Sequence, residues 1–109
     1  MAGLHLDKPW RSIVEALPSI RGHLGVFQLA NARFEIIFIG CAGGREPFGL
    51  KSAIETASAR CSTAVHLRYE ITSSYLTRYR ELLMLYQAEH DDLPQDNPTE
   101  RLGRLSPSS

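Results

Sequence analysis

The chain has no long apolar run. None of its 109 residues belong to a stretch approaching the ~20 apolar residues that cross a bilayer, and Met1 to Pro9 lacks the apolar core of a signal peptide. Membrane insertion and secretion are therefore not expected, and a cytoplasmic setting is. Cysteine is scarce: Cys41 and Cys61 are the only two, too few for a disulfide framework and not at metal-ligand spacing. Reduced thiols follow as the expectation. Positive charge is missing from Glu81 to Glu100, where six acids stand without a Lys or Arg, a local net charge of −6. From Arg45 to Arg80 six basic residues outnumber three acids, a net +3, so any polyanion contact would use a local patch rather than a continuous basic face. No internal repeat is visible.

What is present is ordinary globular material, 43% hydrophobic and 22% charged, at a length that suits one domain. We expect residues 1–97 to form that domain, with an N-terminal helix. Residues 98–109, ending Ser106-Pro107-Ser108-Ser109, are too polar to order themselves and are expected to be a flexible tail.

Periodicity supplies the elements. Asp7 and Pro9 are start signals for a helix carrying Trp10, Ile13, Val14 and Leu17 until Pro18 stops it. Gly25 to Ala30 and Phe34 to Ile39 read as a hairpin joined through Asn31-Ala32-Arg33. The glycine-rich stretch Gly40 to Gly49 reads as a loop leading into a helix from Leu50 to Ala59. In Ala64 to Ile71, Val65, Leu67, Tyr69 and Ile71 alternate with His66, Arg68 and Glu70, the pattern of a half-buried strand. A last helix, Ser73 to His90, carries a stripe of Tyr75, Leu76, Tyr79, Leu82, Leu83 and Tyr86. The expected fold is α+β, a small three-stranded antiparallel sheet flanked by helices.

Gly25-Val26-Phe27, ten residues, then Phe38-Ile39-Gly40 on successive strands resembles the paired tripeptides of the GIY-YIG nuclease superfamily. The helix, strand and helix that follow keep the family's order, and Glu81-Leu82-Leu83 with Pro94 and Asn97 is similar to its Glu-x-x-Leu-Ile helix and Pro-x-x-Asn ending. The resemblance implies a GIY-YIG-like fold, DNA or RNA as partner, and Mg²⁺ held by Glu81. It also implies a tyrosine hydroxyl that helps deprotonate the nucleophile and an arginine that steadies the phosphate. Here Phe27 and Phe38 replace the motif tyrosines and have no hydroxyl to relay a proton. Arg45 and Lys51 are the remaining cations for the arginine's place, and lysine lacks its planar two-pronged grip. His66 is the residue able to supply a replacement base.

The residues support several readings. Phe27 and Phe38 pack the sheet or stack on a base, with Arg68 on the polar strand face and Asn97 as further ligand contacts. Glu81 binds a metal or pairs with Arg78 one turn back. Function is correspondingly read as a domain binding nucleic acid or another phosphate-bearing ligand without efficient cleavage. The alternatives are a weak divalent-metal-dependent endonuclease, with Arg45 or Lys51 and His66 replacing the missing groups, and a protein-interaction module with no nucleotide site.

Overall fold

A computed structural model describes residues 5–43 and 48–97. At its centre lies strand β2 (Gly25–Ala30), buried along its whole length because it has a neighbour on each side and a helical layer on each face. Its partners are β3 (Ile36–Ala42) and β4 (His66–Ile71), both antiparallel, and a two-residue strand β1 (Arg11–Ser12) pairs with the far edge of β4. The sheet order is β1-β4-β2-β3. The described residues thus make an α+β fold on an open antiparallel sheet of four strands, not three, with helices α1 (Ile13–Ala16), α2 (Gly49–Arg60) and α3 (Tyr75–His90).

The extra strand comes from the segment expected to be helix. Trp10 lies against Arg68 of β4, Arg11 and Ser12 pair with Leu67 and His66, and the Ile13 N–H continues the ladder to the Val65 carbonyl. Only four residues remain for α1, capped by Ser12 Oγ, before a 3₁₀ turn at Leu17–Ser19 that contains Pro18. Proline cannot donate to the helix, and the amphipathic spacing could not register that the preceding residues had a strand edge to satisfy. Val14 is accordingly exposed, not packed.

The hairpin is also displaced. Phe34 adopts left-handed backbone at φ 64°, its N–H donating to the Asn31 carbonyl, while Asn31 Oδ1 accepts the N–H groups of Arg33 and Glu35. The turn therefore reaches Glu35, and β3 begins two residues later than expected. It runs on through Gly40, Cys41 and Ala42, which pair with Phe27, Val26 and Gly25. The register shifts between Leu29 and Ala30, so Leu29 faces Phe38, Ala30 faces Ile36, and Ile37 has no facing residue.

Two cores fill the faces. Phe27, Leu29, Ile37 and Leu67 pack with Leu50, Ile54 and Ala57 of α2, while Val26 and Ile39 pack with Leu82 and Leu83 of α3 and with Leu6. Val65, Ile71 and Leu76, expected inside, are exposed at element ends. The glycines of the two tripeptides have steric causes. A Cβ on Gly25 would stand 2.1 Å from the Glu70 carbonyl oxygen, and one on Gly40 would stand 2.5 Å from Phe27 Cζ. The expected tail, residues 98–109, lies outside the described residues. No described helix is long and apolar enough to cross a membrane.

Candidate functional site

A cavity of about 410 Å³ opens at the outer edge of β3, between α2 and the segment that follows α3. Phe27 and Phe38 form its apolar wall, their ring centroids 5.9 Å apart. Phe27 is only 1% exposed, so Phe38 is the ring that presents surface to an occupant. Opposite stand Ser52, Thr56 and Arg60, one stripe of α2 at four-residue spacing. Two hydroxyls and a guanidinium on one wall against aromatic carbon on the other suit a ligand with a flat apolar part and an anionic part.

The remaining wall comes from the end of the described chain. Asn97 is buried, and its Oδ1 accepts the Ile39 N–H while its Nδ2 donates to the Ile39 carbonyl, both at 2.9 Å. Next to it the Asp96 N–H donates to the Ile37 carbonyl, the residue freed by the register shift. Asp96 also lies near the Cys61 thiol at the end of α2. Burial pushes that thiol up to about 11, and the nearby charge of Asp96 adds to it, partly offset by Arg60. Cys61 is thus a thiol held protonated rather than a ready nucleophile.

Three of the expected site residues meet here: Phe27, Phe38 and Asn97. Asn97 has both side-chain groups committed to backbone, so its evident work is to hold the wall. Lys51 turns the other way and donates to the Leu17 carbonyl at 3.4 Å. His66 stacks on Phe34 at the hairpin end, centroids 4.1 Å apart. Arg68 lies on the opposite sheet face, donating to Gln28 at 2.7 Å with its guanidinium 4.2 Å from the Trp10 ring. Burial lowers its pKa, with Asp7 opposing. Arg45 lies outside the described residues.

Glu81 is not part of the cavity wall. Its Oε1 accepts from Arg78 Nη1 at 3.0 Å, and the same guanidinium reaches Glu70 at 3.3 Å and the His5 carbonyl at 2.8 Å. Among the described residues no His, Cys, Asp and Glu gather in a group of three or more able to hold a metal. The Glu81 carboxylate is thus engaged by a guanidinium rather than set in a cluster of acids.

Arg60, Ser52 and Thr56 are the lining residues that the tripeptide resemblance passes over. Ser52 and Thr56 stand one turn apart on the expected helix and Arg60 just beyond its expected end, and nothing in the sequence says that they line a cavity with Phe38. A family model described as Domain of unknown function (DUF7508) matches residues 4–89. No curated protein and no solved structure matches the chain.

Proposed function

Since the chain belongs to the DUF7508 family, whose description assigns no activity, we propose from its own geometry that it binds a phosphate-bearing ligand, a nucleotide or a nucleic-acid strand, at the β3-edge cavity without cleaving it. One observation carries the reading: Phe38, backed by Phe27, faces the Ser52-Thr56-Arg60 stripe across a space of about 410 Å³. A base or sugar would lie on the ring, and a phosphate would take hydrogen bonds from the two hydroxyls and the guanidinium. The resemblance of the paired tripeptides to the GIY-YIG superfamily points to the same ligand class.

Binding is favoured over cleavage because the two motif rings, Phe27 and Phe38, carry no hydroxyl, which leaves Tyr79 as the one tyrosine among the lining residues, and because Glu81 is engaged by Arg78. Among the described residues the cavity lining holds one acid, Asp96, next to the buried Cys61 thiol.

Fluorescence anisotropy with a fluorescein-labelled oligothymidylate, and calorimetry with adenosine diphosphate, test the reading at low salt. Binding of either should weaken about tenfold in Arg60→Ala, the loss of one charge-assisted hydrogen bond at about 1.5 kcal/mol. Phe38→Ala should weaken it as well. Absence of binding by both probes, or binding indifferent to Arg60, defeats the proposal. Mg²⁺-dependent nicking of plasmid DNA that is lost in Glu81→Ala would replace it with the nuclease reading.

A further inference from the structure

On the other side of the molecule, β1 stops short along β4. Arg11 stands opposite Leu67 and Ser12 opposite His66, so a longer β1 would set Pro9 opposite Tyr69. The Ile13 N–H donates to the Val65 carbonyl, and hydrogen-bonded positions in an antiparallel ladder recur at every second residue. The next positions are Arg11 with Leu67 and then Pro9 with Tyr69. Proline has no N–H to give, and the ladder ends there.

The same alternation fixes which backbone groups are left over. Thr72 donates its N–H to the Leu24 carbonyl of the chain entering β2. Counting back by twos, Glu70 and Arg68 turn their backbone groups to β2, and Ile71 and Tyr69 turn theirs outward. Outward of them is a notch of about 360 Å³, with Lys8, Pro9 and Arg11 on one wall and Arg68 to Ile71 on the other.

The charges around this notch are unequal. Glu70 is engaged by Arg78, and Arg68 by Gln28 and Trp10. Lys8 and Arg11 are exposed and pair with no acid among the described residues. An open strand edge flanked by two spare cations has one natural complement, a strand that brings its own carboxylates.

We infer that the Tyr69–Ile71 edge is a docking site for an extended acidic segment of a partner protein, which adds to the sheet beside β4 and sets its carboxylates against Lys8 and Arg11. A second copy of this chain is a poor occupant, because edge-to-edge pairing would set like charges from both copies against one another. A nucleic acid could meet the cations but has no strand-like ladder of N–H and C=O groups for the Tyr69 and Ile71 backbone.

The test uses the full chain and a fluorescein-labelled heptapeptide of alternating glutamate and valine. Anisotropy reads its binding, and NMR amide exchange reads the edge. The expected result is saturable binding with exchange of the Tyr69 and Ile71 amides slowed. Binding should fall by about tenfold when the peptide amides facing the edge are N-methylated, and by at least as much in Lys8→Glu/Arg11→Glu. The methylated peptide leaves the protein untouched, so a folding defect in the variant cannot mimic the result. No saturation, equal binding of the methylated peptide, or unchanged exchange would each overturn the inference. Protection of these amides by concentration-dependent dimerisation would overturn it in favour of a second copy. Displacement of the peptide by oligothymidylate, with no protection of the amides, would mark the notch as a polyanion site instead.

Discussion

Asn97 holds a single residue of the neighbouring strand twice, its Oδ1 accepting the Ile39 N–H and its Nδ2 donating to the Ile39 carbonyl. One side chain thereby does the work of a further strand at that point of the β3 edge. Asn97→Ala leaves a buried N–H and a buried C=O without partners and should lower stability by about 2–3 kcal/mol, measured by urea unfolding. Asn97→Asp keeps the acceptor but sets a carboxylate oxygen against the Ile39 carbonyl. Its folded-state pKa should rise, so its deficit relative to the parent chain should be larger at pH 7 than near pH 4, where protonation restores a donor.

The two tripeptide glycines should differ in their tolerance of a methyl group. In Gly25→Ala the Cβ meets backbone, the Glu70 carbonyl oxygen at 2.1 Å, so β2 and β4 must separate locally. A loss above about 3 kcal/mol, or failure to fold, is expected. In Gly40→Ala the obstacle is the Phe27 ring at 2.5 Å, a side chain able to shift slightly. The expected loss there is about 1–3 kcal/mol, with the ring displaced toward the cavity. Thermal and urea unfolding of the two variants side by side would check the order.

The Cys61 thiol stays protonated in the folded chain to about pH 11, against an ordinary value of 9.0. A raised thiol pKa means that the unfolded chain loses this proton first as pH rises. The contribution to stability is therefore full below about pH 9 and falls away between about pH 9 and 11. Cys61→Ala should show a shallower alkaline decline than the parent chain, measured by urea unfolding across that range. Alkylation of Cys61 by iodoacetamide in the folded protein should be slow at pH 8.

Arg78 is mostly buried and bonds Glu70, Glu81 and the His5 carbonyl at once. Arg78→Leu should cost about 1–3 kcal/mol, since both carboxylates retain some water contact. Arg78→Lys should recover little, because an ammonium cannot span three acceptors lying in different directions. Adding Glu70→Gln to Arg78→Leu should restore part of the loss, and a double-mutant cycle by urea unfolding measures it.

Where an element's own sequence was enough, it could be read in advance. β2, α2 and α3 follow their apolar spacing within a residue or two of their ends. The failures occur where a distant partner decides. Gly40, Cys41 and Ala42 look like loop, but Phe27, Val26 and Gly25 draw them into β3. Trp10 shares a helical stripe with Ile13, but the open edge of β4 competes for Trp10 to Ser12 and wins. At the cavity, Phe27, Phe38 and Asn97 carried a local signature, the tripeptides and the Pro-x-x-Asn ending. Arg60 carried none, because its place depends on how α2 lies across β3.

The short segment after α3 has a consequence for where the domain can be trimmed. Pro94 is buried, its carbonyl accepts the Asn97 N–H, and Asp96 and Asn97 occupy the Ile37 and Ile39 backbone groups on the outer side of β3. A chain cut at His90 would keep every described helix and strand yet leave that side bare. Bare strand edges recruit other chains, so such a fragment should aggregate on concentration while the chain through Asn97 does not. On this expectation the last few described residues, outside any regular element, serve as a guard against self-assembly.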